Sequence, residues 1–286
     1  MNPRSRVADR YGTMAGDISA ALAAPKIRAF HLPPKRPPGV KQCEFCALEL
    51  DDGSFGLTYV SLGDTVAVMQ DLVNPADLAG RPALAVAEGY ARDDAVSRAL
   101  GFAAINALSQ SLFARAGWQP DEAADSLGEL KPLAGERIGM VGLFPPLVPS
   151  ITAARARLTV LEMRADLAGE RDGFRVTLNP DEMADCEKVV STCTIMLNHT
   201  VDAVLAACRG ARYLAIVGPT AGCVPDPLFD HGVKALGGRR ITEPAGFRDA
   251  LLAGEKWGEF ASKYSIFADN YPGIEVLLRR LRRRHG

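Results

Sequence analysis

Small apolar residues recur at helical spacing over 17–24, and Pro25 is expected to stop that run, because its ring fixes φ and it lacks an N–H. The tract 31–39, His-Leu-Pro-Pro-Lys-Arg-Pro-Pro-Gly, suits neither a helix nor a central strand and reads as an extended surface connection. Two β-prone runs follow, 41–50 and 54–60, separated by Asp51-Asp52-Gly53, in which Gly53 supplies the positive φ of a hairpin turn. The run 66–70 reads as a third strand and 76–78 as the start of a short helix. Across 93–116, Val96, Leu100, Ala104, Ala107, Leu108 and Phe113 keep a helical period and predict a long helix.

From Gly135 onward, short apolar runs alternate with helical patterns, which is the signature of βαβ units on a parallel sheet. Strands are expected over 137–142, 158–163, 187–191, 213–217 and near 238–242, with helices over 194–209 and 244–253. The chain therefore divides into an α+β domain, 11–120, and a Rossmann-like α/β domain with a mainly parallel sheet, 121–286. No internal repeat is visible.

With 286 residues, 48% hydrophobic and 23% charged, the chain has the composition of an ordinary globular protein. A formal net charge of −1 gives no field that would draw nucleic acid. The basic run Arg279-Arg280-Leu281-Arg282-Arg283-Arg284-His285 reads as a solvated helix end favoured by the helix dipole. No stretch approaches the roughly 20 apolar residues of a membrane span, and the polar start, 1–10, is not followed by a signal-peptide core. The expectation is a cytoplasmic protein without nucleic-acid or membrane partners, whose homo-oligomeric state the sequence leaves open. Six cysteines are too few for a disulfide scaffold in a chain this long and are expected as thiols.

Candidate chemistry concentrates where two expected parallel strands end, at Val190-Ser191-Thr192-Cys193-Thr194 and Val217-Gly218-Pro219-Thr220. Ligands of open α/β sheets sit at such carboxyl ends, so Thr192, Cys193, Thr194, Gly218, Pro219 and Thr220 are candidate binding residues. Main-chain amides at 193–195 and 220–222 could hold an anionic group. If the two strands are neighbours, Cys193 and Cys223 could instead hold a soft metal, although buried cysteine is often only a small hydrophobe. Asn198, Thr200 and Asp202 belong to the helix expected from 194, with His199 one turn into it. Asp226 is held between Pro225 and Pro227.

The loop Gly139-Met140-Val141-Gly142-Leu143-Phe144-Pro145-Pro146 is not a dinucleotide fingerprint, because Phe144 and two prolines crowd it and remove donors. Phe144 and Glu162, at the ends of the first two strands of this half, remain candidate ligand contacts. Cys43-Glu44-Phe45-Cys46 has the spacing of a zinc or redox pair but no second pair nearby, and on a strand its two sulfurs would diverge. Triad, metalloprotease and phosphate-loop patterns are missing.

The motifs over 139–147, 190–202 and 218–229 together resemble the heavy-metal chelation family, a Rossmann-like domain of unknown function. The segments Ser54-Phe55-Gly56-Leu57-Thr58-Tyr59-Val60 and Gly101-Phe102-Ala103-Ala104-Ile105-Asn106-Ala107 resemble the enolase-N-terminal-like domain that precedes it. The resemblance covers about 15–255 and implies a ligand cleft between the two domains and a link to metal or metal-chelate handling. Cys223 departs from the apolar residue that members commonly carry near that point.

The leading expectation is a protein that binds a transition-metal ion or, better, a metal-chelating small molecule in an interdomain cleft. The alternative is an enzyme using a nucleotide-type cofactor, with Asn106 and Glu162 near the reacting group. A third reading is a non-catalytic module in which these clusters only cap strands and helices.

Overall fold

The computed structural model describes residues 7–37, 40, 43–123 and 130–285. Helix α1 (Val7–Ala21) begins earlier than 17, and left-handed residues at Ala23 and Ala24 (φ 61° and 55°) end it before Pro25 can. Strands β1 (Ile27–His31), β2 (Phe45–Leu50) and β3 (Phe55–Tyr59) form an antiparallel sheet in that order. The expected hairpin is β2–β3, with Gly53 at φ 86° in its turn, and β1 takes up the start of the proline tract. Positions 38 and 39 of that tract and 41 and 42 of the first β run lie outside the described residues.

The run 66–70 is not a strand but the body of α2 (Thr65–Leu72), in which Val66 and Met69 are buried one turn apart. An apolar run this short carries too little period to separate the two states. The expected turn at 76–78 is a 3₁₀ helix, Pro75–Leu78, and α3 (Ala83–Ala87) follows it. The long helix is α4 (Ala95–Arg115), capped by Asp94, whose carboxylate accepts from the Ser97 N–H at 2.7 Å. It is a central post lined with small residues. A Cβ at Gly56 would stand 1.9 Å from the Ala103 carbonyl oxygen, so β3 lies directly on the helix backbone.

The second half contains β4 (Asp121–Glu122), β5 (Arg137–Val141), α5 (Val148–Ala153), β6 (Arg157–Leu161), β7 (Gly169–Arg171), β8 (Phe174–Thr177) and β9 (Lys188–Thr192). It continues with α6 (Val201–Ala207), β10 (Tyr213–Val217), α7 (Asp226–Phe229), β11 (Ala235–Ile241), α8 (Pro244–Ala253), β12 (Ala261–Phe267) and α9 (Ile274–His285). These strands form one sheet in the order β4-β12-β11-β10-β9-β5-β6-β8-β7. The inner strands from β11 to β8 are parallel and the flanking pairings antiparallel. Chain order reverses between β5 and β9, the switch point at which doubly wound sheets open a crevice.

The helix expected over 194–209 is broken. A 3₁₀ turn, Cys193–Met196, is followed by His199 at φ 62°, and α6 starts only at Val201. The cause is Asn198, whose side-chain oxygen accepts from the Thr200 N–H (3.2 Å) and hydroxyl (2.6 Å) and locks a local turn that competes with the helix.

One face of the large sheet shares a continuous buried cluster with the first half, running from Tyr11, Phe102 and Leu108 to Cys193, Ile216 and Tyr264. The opposite face, with Met140, Val160, Val190 and Val217, is covered by Ile151 of α5 and the apolar loop before it. A buried ion cluster also joins the sheets. Glu49 on β2 is 1% exposed and accepts two hydrogen bonds from Arg248 on α8, 2.9 and 2.7 Å, with His31 Nε2 at 2.9 Å and Arg28 at 3.1 Å. Among the described residues no helix is long and apolar enough to cross a membrane.

Candidate functional site

Strands β9 and β10 run side by side in the same direction, with Thr192 opposite Val217, so Cys193 and Gly218 lie next to each other where the strands end. A Cβ on Gly218 would fall 2.6 Å from the Cys193 sulfur. That thiol is in turn hydrogen-bonded by the Thr220 hydroxyl and by the Thr220 and Ala221 amides. Beneath the strand ends, the 220–224 loop is pinned by α4 and α1. Asn106 Nδ2 donates to the Thr220 carbonyl (2.7 Å) and the Leu57 carbonyl (2.8 Å), and Gln110 Nε2 to the Gly222 carbonyl (2.8 Å). Ser109 Oγ accepts from the Val224 N–H (3.0 Å), and the Tyr11 hydroxyl donates to the Val224 carbonyl (3.1 Å). Thr220 Oγ1 accepts from the Tyr59 N–H (2.9 Å). Asn106 and Thr220 are therefore buried interlocks between the halves, and Asn106 Oδ1, like the Thr58 hydroxyl, is buried without a hydrogen-bond partner among the described residues.

Several other expected contacts also have structural occupations. Glu162 spends its two oxygens on the Leu143 N–H (2.7 Å) and its neighbour Met163 (3.0 Å), which shapes the loop after β5. Thr192 caps the 3₁₀ turn by accepting from the Thr194 N–H (3.2 Å), and their hydroxyls pair at 3.0 Å. Asp202 accepts from the Val7 N–H at 3.3 Å on α1. Asp226 holds the start of α9 by accepting from the Ile274 N–H (2.9 Å) and the Tyr271 hydroxyl (2.7 Å). Asn198 and Thr200 belong to the turn already described, although Asn198 also lines a cavity of about 210 Å³ between the halves, with Tyr59, Asp64, Asp93 and His199.

Phe144, Gly218 and Pro219 do share a cavity. It measures about 260 Å³ and opens at the end of β10 and over the middle of β11, with Pro146 and Leu147 on one side and Gly237, Gly238, Arg239, Lys263, Tyr264 and Ser265 on the other. All of these residues come from the second half of the chain. A strand was expected near 238–242 without a site role for Gly238 or Arg239, and Lys263, Tyr264 and Ser265 were missed because β12 was not anticipated. The alternation in Ser262-Lys263-Tyr264-Ser265-Ile266 was the available signal, with Tyr264 and Ile266 buried.

Every cysteine but Cys43 is a buried thiol. Burial pushes Cys193 up to about 11 and Cys223 up to about 12, with Thr220 and Tyr11 respectively pulling back through hydrogen bonds. Cys186 and Cys208 are raised to about 11 and 12, also chiefly by burial. A soft metal needs thiolates, and among the described residues no three His, Cys, Asp or Glu side chains cluster as a ligand set. Cys193 and Cys223 thus do not fit a bare-metal centre. Cys43 is the half-buried thiol. Labelling of the native protein with iodoacetamide at pH 8, followed by peptide mass spectrometry, should modify Cys43 and leave Cys193 and Cys223 intact until the chain unfolds. Rapid alkylation of either would contradict their placement.

The fold and the site define a mixed α/β protein, with a large mostly parallel sheet, a smaller antiparallel one and a crevice at the parallel strands' carboxyl ends. The chain belongs to the family described as "Putative heavy-metal chelation": two family models of that description match it, over residues 125–267 and 43–109. The resemblance drawn from the motifs at 139–147, 190–202 and 218–229 therefore holds.

An uncharacterized protein of Methanocaldococcus jannaschii is 29% identical over 156 residues, 52% of this chain and 57% of the relative, so the match spans little more than half of that protein. Two solved structures of proteins of unknown function from the DUF364 family share the fold. The one from Pyrococcus horikoshii has a TM-score of 0.68 at 19% identity over 92% of this chain and 100% of that one. The one from Desulfitobacterium hafniense has 0.61 at 21% identity over 89% and 98%. At such identities the likeness establishes the fold and nothing further.

Proposed function

We propose that this chain binds an anionic metal-chelating small molecule, free or metal-loaded, beyond the carboxyl ends of β5 and β10 and over the middle of β11. Arg239 and Lys263 carry this reading, as two cationic side chains at an apolar cavity with no carboxylate partner among the described residues. Such a site repels a bare divalent cation and attracts a chelator's carboxylates. The thiols offer no competing centre, being held protonated by burial. In this reading the first half is an enolase-N-terminal-like support for a Rossmann-like binding domain, and Asn106, Thr220 and Cys193 keep the strand ends in place from below. The protein works in the cytoplasm, without nucleic-acid or membrane partners. The nucleotide alternative loses its acid, because Glu162 is engaged with loop amides.

Thermal unfolding with citrate, salicylate or picolinate, each with and without equimolar Ni²⁺, tests the proposal. A chelator at a hundred times its Kd should add about 2.7 kcal/mol of stability, and Ni²⁺ alone should add none. Stabilisation by Ni²⁺ alone that disappears in Cys193→Ala and Cys223→Ala would overturn it in favour of a thiol metal site.

A further inference from the structure

We propose that the chelator held over β10 and β11 is a planar aromatic carboxylate, its ring flat on the glycine floor and its carboxylate meeting Arg239, Lys263 and Ser265. This rests on the reading above and narrows it to one ligand class.

Shape comes first. Gly237 leaves bare backbone on the cavity wall, and a Cβ there would already press on Val217 Cγ1 at 3.2 Å. Gly218 extends that flat strip, while Phe144 and Pro219 give apolar faces on either side. A cavity of about 260 Å³ falls just below the roughly 300–1,000 Å³ of drug-sized sites, which leaves room for one ring system and its substituents.

Charge fixes the other end. The β11–β12 register puts Arg239 directly opposite Lys263, and like charges so placed on one sheet face repel each other. Elsewhere the well-buried end of Lys188 is paired with Glu136, and Arg248 with Glu49. Arg239 instead donates to the carbonyls of Gly258 (3.1 Å) and Ala261 (3.5 Å) and lies 5.7 Å above the Trp257 ring, which leaves part of its fork free. Burial works against its charge, so an incoming anion relieves both it and the repulsion. Ser265, opposite Gly237 and on the same sheet face as Arg239 and Lys263, also lines the cavity. Its hydroxyl can donate to an anion bound there.

A carboxylate fits this set better than a phosphate. Phosphate sites are built from converging backbone amides, and Pro145, Pro146 and Pro219 remove amides from both loops that border the cavity. A guanidinium fork, an ammonium and a hydroxyl are enough for a carboxylate. An ortho hydroxyl or ring nitrogen on the same ring then completes a chelating pair for metal.

Isothermal titration of the whole chain with salicylate and with picolinate is the direct test, with Trp257 emission as a second readout. Saturable binding of either is expected, weakened about tenfold or more, ~1.4 kcal/mol, in both Arg239→Met and Lys263→Met, and to a smaller extent in Ser265→Ala. These variants lie on two strands, so a failure of one to fold leaves the others to decide. Binding unchanged in all three folded variants overturns the proposal. Saturable binding of citrate with none of either aromatic acid overturns the aromatic class while the chelator reading stands. AMP or orthophosphate binding with no chelator binding removes both.

Discussion

Arg248→Met should lower the stability of the protein by about 1.5–3 kcal/mol, the scale of hydrogen bonds to a charged group, because Glu49 keeps its bonds from His31 and Arg28. The size of the effect comes from Glu49, whose side chain is 1% exposed and whose two oxygens both receive hydrogen bonds from Arg248. Methionine keeps an apolar stem beside Phe55 but gives up the guanidinium's cation–π contact with that ring, 5.5 Å to its centroid, which adds a smaller share to the loss. A shift of the urea unfolding midpoint measures it, and Glu49→Gln placed on top of Arg248→Met should recover part of the loss by removing the under-compensated carboxylate.

The pH dependence of that loss carries a sign. Burial raises the Glu49 pKa, but the hydrogen bonds from Arg248 and His31 outweigh it and leave the carboxyl below its ordinary value. In the native protein this contribution is fully present above the unfolded-state pKa, about 4.3, and fades as pH falls through the lower folded value. Without Arg248, the largest of the contributions that offset burial is gone and only that of His31 remains, so the folded pKa rises from its lowered value and the carboxyl becomes less costly as it takes a proton. The stability gap between the two proteins should therefore shrink from pH 7 toward pH 4. A gap that is constant or widens on acidification would mean that the carboxylate is not what Arg248 stabilises. Loss of Arg248 should also weaken ligand binding. Helix α8 and Trp257 pack with Phe55 and Phe247 against the first sheet, and Trp257 supports Arg239.

The patterns legible in the sequence were those with a strong local cause. Helix α8 starts at a proline in its first turn and ends at Gly254 in a left-handed cap (φ 73°), and its expected limits hold. The β-branched and apolar runs of β9 and β10 specify buried parallel strands, and their register places Cys193 beside Gly218. Where a side chain competes with the backbone, local periodicity misleads, as at Asn198, whose turn breaks the helix expected from 194. The cationic cavity was hidden for a different reason. Arg239 and Lys263 are separated in sequence and meet only through an antiparallel pairing, which no local pattern at either position encodes. Asp202 and Asp226 were conspicuous because they lie near threonine and proline, and Glu162 because it follows a strand. All three bind the chain's own amides rather than a ligand.

The register of β9 against β10 can itself be tested through Gly218→Ala, which should cost about 3 kcal/mol. Two strains add. Gly218 has φ 139°, a backbone state open essentially to glycine, and the new methyl carbon would lie 2.6 Å from the Cys193 sulfur. Cys193→Ala alone should cost about 1 kcal/mol as an ordinary buried truncation. Combined, the two should cost less than their sum by at least about 0.5 kcal/mol, because removing the sulfur lifts the clash and leaves only the backbone strain. Chemical unfolding of the four proteins of this cycle gives the coupling directly. Strict additivity would place the two residues apart and dissolve the strand-end site, since the cavity wall at Gly218 and Pro219 is positioned by that pairing. A positive coupling, with Gly218→Ala still strained in the double variant, fixes the wall from which Arg239 and Lys263 face their ligand.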